Sequence, residues 1–122
     1  MKKILCIEDE QFIGELYSRA LEKEGYEVKI VADGADGLHE AVNGGYDIIL
    51  LDIMLPTMNG VEMLHKMKDK YVQPPITSKI IITTNLDQKE EIRKEVEQLA
   101  DGYLIKAEVT PKELVEYIKQ VV

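Results

Sequence analysis

Residues 46–60 read Tyr-Asp-Ile-Ile-Leu-Leu-Asp-Ile-Met-Leu-Pro-Thr-Met-Asn-Gly. Ile48 to Leu51 lack the polar alternation of a half-exposed strand. A strand that is apolar on both faces is covered on both faces, as in a parallel sheet buried between helices. The run ends in Asp52. Ile53-Met54-Leu55-Pro56 follows and leaves that aspartate no helix to cap.

Four more short apolar runs punctuate the chain: Ile4-Leu5-Cys6-Ile7, Val28 to Val31, Ile80-Ile81-Ile82 and Tyr103-Leu104-Ile105; four of the five are continuous or nearly so and rich in β-branched residues. Helical stripes alternate with them. Ile13, Leu16, Tyr17, Ala20 and Leu21 share one helical face. Leu38, Ala41 and Val42 form a second, and Val61, Leu64, Met67 and Tyr71 a third. Ile92, Val96 and Leu99 form a fourth, and Leu114, Val115, Ile118 and Val122 a fifth. Each is read as a core stripe. Gly25, Gly45 and Gly102 stand just before strands, where positive φ is often needed. Thr110-Pro111-Lys112-Glu113 combines an N-cap, a proline at the first helical position and a capping-box glutamate. Asp87 with Glu90 offers a weaker start of the same kind. Tyr71 to Ser78, with Pro74-Pro75, reads as one longer loop. The pattern is (βα)5: right-handed crossovers put helices on both faces of a five-stranded parallel sheet.

The 122 residues fit one compact domain, 1–122, with 45% hydrophobic residues to fill a core. No apolar run is long enough to span a bilayer. The apolar start at Ile4 stops at Ile7, before Glu8-Asp9-Glu10, which argues against a signal peptide. The single cysteine, Cys6, excludes an internal disulfide and reads as a small buried thiol. A cytoplasmic location is expected. A net charge of -8 argues against direct nucleic-acid binding, which needs clustered Lys and Arg.

In open parallel sheets, ligands bind beyond the carboxyl ends of the strands. The first run ends in Glu8-Asp9, the third in Asp52, the fourth in Thr83-Thr84 and the fifth in Lys106. A lone aspartate after a strand is usually a turn or cap residue, and Asp9 alone would be read so. Three carboxylates together are different. Each pair at 4 Å repels by roughly 4 kcal/mol at an effective dielectric of about 20. Such a cluster calls for a cation, and all-oxygen donors favour Mg²⁺ over zinc. An acidic Mg²⁺ site with a nearby lysine and threonine suits phosphoryl chemistry, one carboxylate being the nucleophile.

These motifs together resemble the receiver domain of bacterial two-component response regulators. Glu8-Asp9 is similar to the family's acidic pair. Residues 52–60 are similar to the segment around its phosphoacceptor, with Pro56 and Gly60 at the usual offsets. Thr83-Thr84-Asn85 and Tyr103-Leu104-Ile105-Lys106 resemble its fourth and fifth strand ends. The resemblance covers the whole chain.

It implies a flavodoxin-like (βα)5 three-layer sandwich with strand order 2-1-3-4-5. It also implies roles. Asp52 takes a phosphoryl group from a phosphohistidine of a sensor histidine kinase or phosphotransfer protein, or from a small phosphodonor. Glu8, Asp9, Asp52 and the Met54 backbone carbonyl coordinate Mg²⁺, or Mn²⁺ in its place. Lys106 and Thr84 bind phosphoryl oxygens. Thr84 moves inward and Tyr103 changes rotamer, which alters the surface of the fourth helix, fifth strand and fifth helix for an effector, an output domain or a homodimer partner. The chain is then a signalling switch that catalyses its own phosphorylation and slow autodephosphorylation, not an enzyme acting on other substrates.

Three positions depart from the commonest pattern. Glu8 replaces an aspartate, Asn85 a small residue, and Ala107 a proline after the lysine. The last leaves open whether the Lys106–Ala107 bond is cis, which costs about 3–4 kcal/mol without proline. Met54 and Leu86, two residues beyond Asp52 and Thr84, are apolar. The resemblance implies that these two positions influence attack by water; neither side chain here can hydrogen-bond that water, so slow autodephosphorylation is expected.

Competing classes fit less well. A haloacid-dehalogenase-type phosphatase needs a second aspartate where Met54 stands, and a cap domain. A flavodoxin-like binding module needs a phosphate-cradling loop where Glu8-Asp9-Glu10-Gln11 is acidic. A receiver-like domain that signals without phosphorylation typically loses the acceptor or the lysine, and both are present. His39 and His65 are read as surface residues, and Met58, Met63 and Met67 as core or rim.

Overall fold

The computed structural model describes residues 2–55, 58–69, 71–85 and 87–121. Pro56, Thr57, Leu86 and Val122, all used in the sequence reading, lie outside the described residues.

Five strands alternate with five helices: β1 (Lys3–Ile7), α1 (Gln11–Lys23), β2 (Glu27–Val31), α2 (Gly34–Asn43), β3 (Ile48–Asp52), α3 (Gly60–Met67), β4 (Lys79–Thr84), α4 (Glu90–Leu99), β5 (Gly102–Ile105) and α5 (Pro111–Val121). A short 3-10 turn, Lys106–Glu108, links β5 to α5. The strands form one parallel sheet in the order β2-β1-β3-β4-β5. The expected fold class, topology and element order are all present.

Strand pleating splits the apolar runs between two cores. Leu5, Ile7, Ile49, Leu51, Ile80 and Ile82 pack with Ala41, Met63, Leu64, Met67 and Val96 on the side of α2, α3 and α4. Ile4, Cys6, Ile48, Leu50 and Ile81 pack with Tyr17, Leu21, Leu114, Val115 and Ile118 on the side of α1 and α5. This is why β3 is buried at every position. Burying a Leu or Ile side chain contributes roughly 1.5–3 kcal/mol, so the central strands hold the layers together. The edge strand β2 is only half covered, and Ile30 is exposed.

Local signals explain most boundaries. Thr110 Oγ1 accepts from the Glu113 amide at 3.1 Å, and Glu113 Oε1 accepts from the Thr110 amide at 3.0 Å. That is the expected capping box. Gly25 and Gly45 have φ of 91° and 65°. Gly102 does not share this backbone. It is the first residue of β5, and a Cβ there would strike the Tyr117 hydroxyl.

Two further local expectations need correction, and one question left open by the sequence is answered. Tyr71 lies beyond α3 and is 78% exposed, so it is not part of the core stripe. Asp87 does not cap α4. The residue at the cap position is Lys89, without a side-chain cap, and the Asp87 carboxylate binds Arg93 and Tyr103 instead. Among the described residues the cis peptide is Gln73–Pro74, so Lys106–Ala107 is trans.

Candidate functional site

Glu8 comes directly after β1, Asp52 closes β3, Thr84 closes β4, and Lys106 follows β5. Parallel pairing puts all four at one end of the sheet. Glu8, Asp52, Thr84 and Lys106 are buried, while Asp9 is exposed at the rim. Oxygens of Glu8, Asp9 and Asp52 lie within 4.8 Å of one another.

Lys106 reaches into this cluster. Its Nζ is 3.1 Å from Asp52 Oδ2, 2.5 Å from Glu8 Oε1 and 3.6 Å from Glu10 Oε2. The other Asp52 oxygen, Oδ1, accepts from the Met54 amide at 2.9 Å. Each oxygen of the Asp52 carboxylate thus has its own partner. Glu8 Oε2 accepts from the Glu10 amide at 3.1 Å. Glu8 Oε1 is buried, and its approach to Lys106 lacks hydrogen-bond angles.

One ammonium therefore serves two buried carboxylates. Burial pushes the Glu8 carboxyl up to about 7, the Asp52 charge adds to the push, and Lys106 and the Glu10 amide pull the other way. Burial would lower the Lys106 ammonium, but Glu8 and Asp52 outweigh it and hold it above its ordinary value. Burial, with help from Glu8, also pushes the Cys6 thiol up to about 12, which fits an inert core cysteine.

Loop geometry closes the site. Gly60 N–H donates to the Ile53 carbonyl at 2.9 Å. A Cβ on Gly60 would collide with the Ile53 backbone and the Asp52 carbonyl. Asn59 caps α3 by accepting from the Val61 amide at 2.7 Å. Met54 is half exposed beside an open cleft of about 550 Å³, shared with Met58, Asn59 and Gln88.

Residues 4–119 match the family model described as the response regulator receiver domain. The chain belongs to this family. This receiver domain is 39% identical over 106 residues to the response regulator ArlR of Staphylococcus saprophyticus, which covers 87% of the chain and 46% of that protein. The chain spans about half the length of the curated relatives it matches. A CheY-like receiver domain structure from Methanospirillum hungatei is 35% identical, with a TM-score of 0.87 over 98% of this chain and 92% of that one. The chemotaxis protein CheY4 of Vibrio cholerae is 28% identical, with a TM-score of 0.86 over 100% and 99%.

Within this receiver domain, the expected acids and Lys106 come together. Register pairs Asp52 with Thr83 across the sheet, and Thr84 stands one residue further on. The Thr84 hydroxyl accepts from Gln88 Nε2 at 3.1 Å. Tyr103, partly buried, is level with Ile82 and carries Arg93 over its ring at 4.7 Å. Leu86 lies outside the described residues. His39 and His65 are exposed and are not part of the acidic group, and His65 pairs with Glu95 at 2.5 Å.

Sequence reasoning missed Glu10 and Gln88. Glu10 was visible as the third acid of a run, but its reach to Lys106 depends on the turn into α1. Nothing in the sequence marks Gln88. The oxygen donors of Glu8, Asp9 and Asp52, two of them buried and sharing one ammonium, fit a hard divalent cation.

Proposed function

We propose that residues 1–122 form one phosphorylation-controlled receiver domain whose phosphoacceptor is Asp52. The observation that carries this is the Asp52 carboxylate, buried at a strand end, 3.1 Å from Lys106 and clustered with Glu8 and Asp9. An Asp52 oxygen attacks phosphorus of a phosphohistidine. The Asp52–phosphorus bond forms, the phosphorus–nitrogen bond breaks, and the departing imidazole takes up a proton. Lys106 balances the charge gathering on the phosphoryl oxygens, and the Thr84 hydroxyl donates to one of them. Mg²⁺, or Mn²⁺, held by Glu8, Asp9, Asp52 and the Met54 carbonyl would neutralise the acids and polarise the phosphoryl group. Met54 and Leu86 present no group to orient an attacking water, which favours a long-lived phosphoryl group.

The donor is a sensor histidine kinase or phosphotransfer protein, and the receiver acts as a switch rather than an enzyme on other substrates. Thr84 and Tyr103 carry the change to the face of α4, β5 and α5, which controls an effector, an output domain or a homodimer. The setting is cytoplasmic. Among the described residues no helix is long and apolar enough to cross a membrane, and the acidity leaves nucleic-acid contact to other domains or partners.

The test is incubation with phosphoramidate or acetyl phosphate, with and without Mg²⁺, followed by intact mass. Wild type should gain one phosphoryl group only with the metal, and Asp52→Asn none. Equal labelling of Asp52→Asn would reject the assignment.

A further inference from the structure

One residue of the β4–α4 loop touches both groups assigned to the switch. Gln88 Nε2 donates to Thr84 Oγ1 at 3.1 Å, and the Gln88 backbone N–H donates to the Tyr103 hydroxyl at 2.9 Å. The Tyr103 hydroxyl in turn donates to Asp87 Oδ1 at 2.9 Å. Arg93 Nη1 grips the same carboxylate at 3.1 and 2.9 Å, and its guanidinium covers the Tyr103 ring. Arg93 Nε is held by Glu97 Oε1 at 2.6 Å.

The phenol oxygen is therefore bound as donor and as acceptor by two successive residues, while the second of them also holds the buried threonine. A hydroxyl that accepts from an amide keeps its own hydrogen to donate, but in fewer directions. Displacing the Thr84 oxygen must break the Gln88 amide contact or drag residue 88, and residue 88 carries the Tyr103 hydroxyl with it.

We infer that Gln88 is a positioning residue that ties the Thr84 hydroxyl to Tyr103, with Asp87 and Arg93 bracing the ring in its resting place. This deepens the phosphoacceptor reading above and rests on it. Gln88 passes the change by two hydrogen bonds made from its two ends. Asp87 and Arg93 oppose the change. Their removal shifts the population towards the responsive arrangement before any phosphoryl group binds.

The experiment follows the Tyr103 ring by NMR in the full chain labelled at tyrosine Cε, with the signal assigned by Tyr103→Phe. Phosphoramidate and Mg²⁺ are added, and intact mass gives the phosphorylated fraction of each sample. Tyr103 displacement is compared at matched fractions, so a change in phosphorylation rate does not enter. Wild type should show a displacement that grows with mass gain. Gln88→Met and Gln88→Glu, which lose the amide donor but keep the length, should show at least a threefold smaller displacement. With beryllofluoride and Mg²⁺ as the probe, Asp87→Asn and Arg93→Gln should lower the half-saturating concentration two- to fivefold. Circular dichroism checks folding, and either Gln88 variant suffices. Gln88 variants that track wild type, or a wild-type Tyr103 signal indifferent to phosphorylation, overturn the inference alone. A wild type that gains no mass overturns the phosphoacceptor reading, and this inference with it.

Discussion

Lys106 Nζ sits 3.1 Å from Asp52 Oδ2, although 54 residues separate the two in the chain. The ammonium is buried with two carboxylates, Glu8 and Asp52, and compensates only part of their charge. Removing one partner of a buried ion pair commonly costs about 3–5 kcal/mol because the other charge is left uncompensated. Lys106→Met should lower stability by about 2–4 kcal/mol in urea unfolding at neutral pH without metal, the acids recovering part by taking up protons. Added Mg²⁺ should restore some of the loss. A variant as stable as wild type would show that the pair contributes nothing net.

The raised Glu8 carboxyl makes a signed pH prediction. Its folded value of about 7 lies above the ordinary 4.5. Between these values the folded state binds more protons than the unfolded one, so metal-free stability falls as pH rises through this window. The full loss is on the order of 3 kcal/mol. Lys106, raised above 10.5, stays charged in both states there and adds no slope. Thermal unfolding in EDTA from pH 5 to 8 should show the decline, and Glu8→Gln should flatten it. Mg²⁺ should bind more tightly at pH 8 than at pH 6, since protons compete for Glu8. A flat wild-type profile would contradict the assignment.

Met54 is half exposed beside the cleft rather than wedged into packing. A polar group at position 54 would have room to hold a water near the phosphoryl group. Met54→Asn with Leu86→Glu should shorten the phosphoryl half-life by roughly tenfold, less than the 10²–10⁴ of a well-placed general base. Loss of phosphorylated mass over time measures it. An unchanged half-life would mean that both residues only line the rim.

Gly60 and Gly102 should respond differently to alanine. At Gly60 the new methyl meets backbone atoms of Ile53 and Asp52, which cannot yield without moving the phosphoacceptor. Gly60→Ala should cost about 1–3 kcal/mol and reduce labelling of Asp52. At Gly102 the obstacle is the tip of the Tyr117 side chain. Gly102→Ala should cost less, and Tyr117→Phe should relieve part of the cost. Urea unfolding of the three variants decides it; equal losses at the two glycines would defeat the explanation.

Much of this molecule is read directly from the chain. Runs such as Ile48–Leu51 and stripes such as Leu114, Val115 and Ile118 demand two covered sheet faces, because burial follows local periodicity. Thr110 and Glu113 cap α5 through neighbours three residues apart, so their role is local as well. Even the clustering of Glu8, Asp9, Asp52 and Lys106 follows once the strands are parallel, since all their carboxyl ends then share one edge.

Other features depend on distances between segments that sequence spacing does not encode. Asp87 was read as a cap, but Tyr103 and Arg93 lie close enough to claim its carboxylate. Gly102 was read as a turn residue, but it is needed where Tyr117 of α5 crosses β5. The sequence by itself determined the layers and the residue types at the sheet edge, because those depend on periodicity and order. Only the tertiary structure decided which polar groups pair, that Lys106–Ala107 is trans, and that Gln88 spans Thr84 and Tyr103. Hydrogen bonds act over about 3 Å, and that precision comes from packing rather than pattern.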